Sequence, residues 1–236
     1  MIIVMRKTNV ILIGLIFALL LAIYSLNMNM DTQASTTGSN LQKTVVIDAG
    51  HGGEDPGKVS SYSDLKEKEL NLKIALKLKM LLENEDYKVI LTREEDKLVY
   101  SEGTTSIYEK RKQDLNRRKE IMDNSGAQIV VSIHLNGFPE TKYYGAQTFY
   151  PPNSPDSLKL ATSIQNSMKE MLDKDNKREP QEKKDPIIIL IDLKTPTTIV
   201  ECGFLSNVEE EKKLGTDEYQ SKIAAAIKEG IGNYFK

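Results

Sequence analysis

Apolar and polar positions alternate between two periods along most of the chain. Short apolar runs of strand length are separated by longer amphipathic stretches. That alternation predicts an α/β fold, a single domain with a mostly parallel twisted sheet flanked by helices. Six runs read as strands: KTVVIDA (Lys43 to Ala49), YKVILT (Tyr87 to Thr92), AQIVVSIHL (Ala127 to Leu135), GAQTFYP (Gly145 to Pro151), PIIILI (Pro186 to Ile191) and TTIVECG (Thr197 to Gly203). After the first of them, EKELNLKIALKLKMLLENE sets Leu70, Ile74, Leu78 and Leu81 on one face and Lys73 and Lys77 toward water, a helical period. YEKRKQDLNRRKEIMDNSG is more polar and still helical, stopping at Gly126. SPDSLKLATSIQNSMKEMLDK and DEYQSKIAAAIKEGIGNYF complete four helices, and no internal repeat is visible.

Two segments break the pattern. Arg6 and Lys7 precede the apolar run NVILIGLIFALLLAIY (Asn9 to Tyr24), and a polar stretch from Asn27 to Lys43 follows it. A basic start, an apolar core and a small-residue exit predict an export signal, either cleaved or, if extended through Met30, kept as a membrane anchor. The expected organisation is a signal or anchor over residues 1–34, a linker over 35–42 and one domain over 43–236. The second exception, DKDNKREPQEKKDP (Asp173 to Pro186), reads as a solvated loop long enough to reach a substrate.

Composition narrows the partners. The chain has 32 basic and 34 acidic residues, and removing Met1 to Ala34 leaves 30 against 33. Without a basic surplus, neither nucleic acid nor adhesion to an anionic surface is expected. A lone cysteine, Cys202, excludes an internal disulfide and any cysteine-rich zinc module.

The candidate chemistry lies at strand ends. Ligands of open α/β sheets bind beyond the carboxyl ends of parallel strands. His51 follows VVIDAG, His134 closes IVVSI, Glu201 ends TTIV, and Glu67 opens the helix after the first strand. Two imidazoles and two carboxylates on one rim suit zinc, with three protein ligands and one carboxylate left as general base. Calcium and magnesium prefer oxygen ligands. Each residue also has a structural reading. For Glu67 it is specific: Asp64 and Glu67 have the D-x-x-E spacing of a capping box. Asp48 and Asn136 are further candidates, as support for the ligands or as substrate contacts, with burial at a strand end the alternative for Asp48. Because side chains alternate along a strand, Cys202 should face away from the site if Glu201 faces it.

The blocks VVIDAGHGGEDPG, KEKELNLKIALKL, VVSIHLN and IVECGFLSN, in this order, resemble the zinc-dependent N-acetylmuramoyl-L-alanine amidases of the AmiC-like (amidase type 3) family. The likeness runs from Thr44 to Phe235. It implies one Zn2+ per chain held by His51, Glu67 and His134, with Glu201 catalytic, and a substrate of peptidoglycan glycan strands bearing stem peptides. It also allows an activating protein of unknown identity. The family's arginine upstream of the catalytic block is missing, since Leu190 is followed by Ile191, and no large insertion interrupts FYPPNSPDSLKL. The short build behind a signal or anchor is similar to the germination-specific amidases of spore formers, which strip stem peptides for muramic lactam formation in cortex. That implies an exported, extracytoplasmic protein, with membrane contact through an uncleaved N-terminus. Alternatives are a vegetative autolysin or cell-separation amidase, a zinc peptidase acting on stem peptides, and an inactive tethered wall-binding protein.

Overall fold

The computed structural model describes residues 15–21, 24, 42–185 and 187–236. It divides into two units, Met1–Leu41 and Gln42–Lys236. In the first, residues 15–21 are helical with exposed apolar side chains. The remainder of the expected signal or anchor, and nearly all of the linker, lies outside the described residues. Among the described residues, no helix is long and apolar enough to cross a membrane.

The second unit is built on a six-stranded sheet. Its strands are β1 (Thr44–Ala49), β2 (Lys88–Leu91), β3 (Ile129–Asn136), β4 (Gln147–Tyr150), β5 (Gln181–Glu182) and β6 (Thr197–Phe204), ordered β2-β1-β3-β6-β4-β5. Every pairing is parallel except β4 with β6. The expected α/β sheet is present, but one strand is not the predicted one. The run Pro186 to Ile191 supplies no strand; Ile188–Leu190 form a 3-10 turn instead. A short apolar run satisfies a buried turn as well as a strand. Here Ile189 and Leu190 pack down on Val130, Met122 and Ile199. The edge position goes to β5, inside the charged segment expected to be a loop, through the pairs Phe149 with Gln181 and Tyr150 with Glu182.

The helices are α1 (Glu67–Glu83), α2 (Ile107–Asn124), α3 (Pro155–Leu172), α4 (Val208–Leu214) and α5 (Asp217–Tyr234). The four predicted helices form, and α4 is additional. Seven residues are too few to show a period, but the cap is readable. Asn207 accepts from the backbone N–H of Glu209 and Glu210, acids fill the first turn, and Lys212 and Lys213 close the last. Tyr150 ends β4 and Pro155 begins α3, so nothing is inserted there.

β1 is buried along its whole length, as a central parallel strand covered on both faces must be. Val45, Ile47 and Ala49 join the larger core, with Leu70, Ile74, Leu78 and Leu82 of α1 and the inner faces of α3 and α5. Leu82 completes the α1 stripe, and Leu81 is only partly buried. Cys202 lies in this core, facing away from Glu201 as expected. The opposite face is apolar at Val46, Val130 and Ile199. Along the same alternation it becomes polar toward the strand ends, at Asp48, Ser132, His134 and Glu201.

α3 and α5 meet at Gly230, where an added Cβ would lie 2.6 Å from Cα of Ile164. Alanine normally gains about 1 kcal/mol over glycine inside a helix, whereas overpacking against backbone costs roughly 1–3 kcal/mol. Gly230→Ala should therefore lower stability by roughly 1–2 kcal/mol, read as a lower urea midpoint at unchanged slope.

Candidate active site

β2 and β3 flank β1 on opposite sides, so the chain changes direction between β1 and β3. Crevices at such a switch point are where ligands of this fold class bind. His51 stands just past β1, His134 lies on β3, and Glu201 on β6 pairs in register with His134. Glu67, the first residue of α1, reaches over the same rim.

The glycines around His51 are there for space and for backbone angle. Gly50 donates to the Ile133 carbonyl at 3.0 Å, closing β1 onto β3, and a Cβ on it would overlap the His134 ring. His51 itself adopts φ +64°, followed by Gly52 at +142° and Gly53 at +53°. A Cβ at Gly57, also left-handed, would lie 2.5 Å from Oε2 of Glu67 and 2.7 Å from the His51 ring. The two imidazoles end edge to face, 5.0 Å between centroids.

The Glu67 carboxylate gathers them. Its Oε1 lies 3.0 Å from Nδ1 of His134 and 3.2 Å from Nε2 of His51, and accepts from the Leu135 N–H at 3.0 Å. Its Oε2 accepts from the Lys58 N–H at 2.7 Å. The capping box does not form, because Lys66 occupies the cap position and makes no side-chain cap bond. Burial alone would raise the Glu67 carboxyl. Hydrogen bonds and charge from His134 and His51 outweigh it and hold the group well below the usual carboxylate range.

Ligand atoms of His51, Glu67 and His134 all lie within 4.8 Å of one another. Tetrahedral zinc with bonds near 2.0–2.2 Å separates its ligand atoms by about 3.3 Å, close to the two histidine–glutamate separations. The donor set therefore fits a zinc ion. Asp55, which sequence reasoning missed, accepts at 2.8 Å from Nδ1 of His51 and so turns Nε2 toward Glu67. Burial lowers the His51 imidazole, but Asp55 and Glu67 raise it to about 9.

Glu201 differs from the other three. Its Oε2 is shielded from solvent and has no hydrogen-bond partner among the described residues. Burial and the nearby Glu67 charge raise its carboxyl to about 7, against the pull of His134.

Beneath the rim is a buried polar layer. Asp48 accepts from Arg118 at 2.9 Å, from Thr92 at 2.6 Å and from Ser132 at 2.6 Å. Arg118 also donates to Asp114 and to the carbonyls of Ala49 and His51. Arg93 binds the carbonyls of Ala49 and Gly50. Neither arginine was singled out from sequence, where each sits among other charged residues. Asn136 stays apart: its Oδ1 accepts from the Gly137 N–H, and it is not among the residues lining the cavity. That cavity, of about 190 Å³, is lined by Asp48, His51, His134 and Glu201 together with the apolar Leu98 and Ile187.

A rim of two imidazoles and two carboxylates at the switch point of a covered parallel sheet gives an α/β fold with donors able to hold a metal ion, an arrangement suited to a hydrolytic enzyme. The chain belongs to the N-acetylmuramoyl-L-alanine amidase family, whose profile matches residues 45–233. It hydrolyses the amide between N-acetylmuramic acid and L-alanine in peptidoglycan. It is similar to the germination-specific N-acetylmuramoyl-L-alanine amidase of Bacillus subtilis (strain 168), with 35% identity over 193 residues, 82% of this chain and 80% of that protein. The solved CwlD amidase of Clostridioides difficile, in complex with the GerS lipoprotein, is 47% identical at a TM-score of 0.80, covering 82% of this chain and 98% of that one. AmiA of Escherichia coli (strain K12) is 28% identical over 236 residues, 82% of this chain and 76% of that protein.

Burial alone would raise Asp48, but Arg118, Ser132 and Thr92 lower it from 3.8 to about 2. A depressed carboxyl stabilises the fold fully above its unfolded value and loses that contribution as pH falls through the folded one. The wild type should therefore shed stability between about pH 4 and pH 2 more steeply than Asp48→Asn. At neutral pH the variant should already be about 3–5 kcal/mol weaker, because Arg118 keeps its buried charge and loses a partner. Urea titrations across that pH range check both expectations.

Proposed function

We propose that this amidase is zinc-dependent and strips stem peptides from spore cortex, the step that permits muramic lactam formation before germination. The cortex assignment rests on the likeness to the germination-specific amidase of Bacillus subtilis. In this reading His51, Glu67 and His134 hold the metal and Glu201 carries the proton. The observation that carries it is the buried Oε2 of Glu201, unpartnered among the described residues, on the strand paired with that of His134, one of the three clustered donors. An unsatisfied buried carboxylate oxygen costs several kcal/mol in a fold and calls for a functional reason.

Zinc, when bound, supplies positive charge that lowers the pKa of a coordinated water from about 15.7 to about 7 and favours ionised Glu201. The chain's own residues do the rest. Asp55 fixes the His51 tautomer, and the backbone N–H groups of Lys58 and Leu135 hold Glu67. Oε2 of Glu201 takes the proton of the attacking water and returns it to the amide nitrogen as L-alanine departs with a free amine. A carboxyl near neutrality suits a group that must both accept and release a proton. Leu98, Ile187 and Ile189 give the cavity an apolar wall that lowers the local polarity around Glu201.

The N-terminal segment, residues 1–34, exports or anchors the domain formed by residues 43–236, which then works outside the cytoplasm. The presence of the GerS lipoprotein with CwlD supports an accessory protein for this chain as well.

Purified Glu201→Gln should keep zinc by metal analysis yet fall at least a hundredfold in kcat, the usual worth of a general base. His134→Ala should lose both. Retained activity in Glu201→Gln refutes the role given to that residue. Chelation should abolish turnover and added zinc restore it. Mass spectrometry of digested cortex from spores with and without the gene tests the physiological part. Muramic lactam should vanish without the gene, and shortened stems instead of intact L-alanine amino termini would indicate a peptidase.

A further inference from the structure

Three cationic side chains line the catalytic cavity, and two are committed. Arg111 pairs with Asp55 at 3.1 Å, and Arg118 is held between Asp48 and Asp114. Lys183 is partly buried, lines the same cavity as Glu201, and has no carboxylate within 4.0 Å among the described residues. Its Nζ lies over the Phe149 ring, 5.1 Å from the centroid, and its charge also acts on Glu201 across the cavity without an ion-pair contact. The ring contact is worth only about 0.5–1 kcal/mol and does not replace an anionic partner.

Its placement is fixed. Lys183 follows β5, its N–H donates to the Tyr150 carbonyl at 2.8 Å, and β5 is registered on β4. Phe149 and Lys183 also wall a second cavity of about 450 Å³, lined otherwise by Gln181, Glu182, Lys184 and Asp185. The pair thus stands between the reacting centre and a cleft that continues along the sheet edge. A stem peptide leaving the scissile amide has such a path. When its second residue is a glutamate joined through the side-chain carboxyl, the free α-carboxylate falls one residue beyond that amide, within about 7 Å in an extended chain.

We propose that Lys183 binds this free carboxylate, so that the enzyme prefers stem peptides with an anionic second residue over those amidated there. The inference rests on the amidase reading above and assigns the peptide side of its substrate. Lys183 is a specificity residue here, and its ammonium forms a charge-assisted hydrogen bond that the amidated stem cannot match.

The test uses the full chain with zinc and two synthetic muramyl peptides, differing only in carboxylate or carboxamide at the second residue. The wild type should show a KM about tenfold lower for the anionic one, the size of one charge-assisted hydrogen bond. Lys183→Met should bring the ratio of the two KM values to about one, and Lys183→Arg should keep it well above one. Calorimetric titration with the two released stem peptides gives a readout without turnover. Absent hydrolysis with retained preference in titration overturns the amidase reading and leaves the Lys183 assignment standing. A preference kept in Lys183→Met overturns the assignment. So does an equal loss of kcat on both substrates, which would mean that Lys183 serves the reacting amide.

Discussion

The structure turns on one guanidinium buried where the sheet meets the rim that carries the clustered imidazoles and carboxylates. Arg118 reaches from α2 into the end of β1, where it meets Asp48, Asp114 and the carbonyls of Ala49 and His51. An isolated charge in that position would be far too costly, and two carboxylates at 2.6 and 2.9 Å make it tolerable. Such a network adds little net stability compared with well-packed apolar residues, but it admits very few arrangements. That restriction suits a segment whose next residue, His51, must sit in a left-handed conformation.

The rim is then assembled by removal of bulk as much as by attraction. Gly50 and Gly57 leave out the Cβ atoms that would collide with His134, His51 and Glu67. Into that space Glu67 brings a carboxylate satisfied by two imidazoles and two backbone amides. Glu201 is the contrasting member, buried and, among the described residues, left without a partner on Oε2. Two carboxylates on one rim thereby acquire opposite proton affinities. Hydrogen bonds hold Glu67 ionised, whereas burial and like charge lift Glu201 to about 7.

Much of this was legible in the sequence. Strand and helix periods located β1, β3 and β6, and residues with chemical capacity at their ends marked the rim before any coordinates did. The family likeness then implied different roles for the two carboxylates. What stayed hidden was charge without a period. Arg118 sits in KRKQDLNRRK, where any of six basic residues reads as solvated, and Asp55 is one of two adjacent acids. Only the tertiary fold says which of them is turned inward. β5 was unreadable for a related reason: two polar residues carry no alternation, and the strand exists only because β4 offers an open edge. The apolar run after it misled in the other direction, since hydrophobicity records burial and does not record backbone shape.

The three clustered donors come from a loop after β1, the first turn of α1 and the end of β3. No two of them are near neighbours in sequence, and the chain has only two histidines. For an ion held at the proposed site, the unfolded chain would consequently have almost no affinity. Binding free energy of such a site is added almost whole to the stability of the native state. Under the zinc reading, metal uptake and completion of the domain would be two descriptions of one equilibrium, and a chain that had not closed its sheet would have no means of acquiring the ion early.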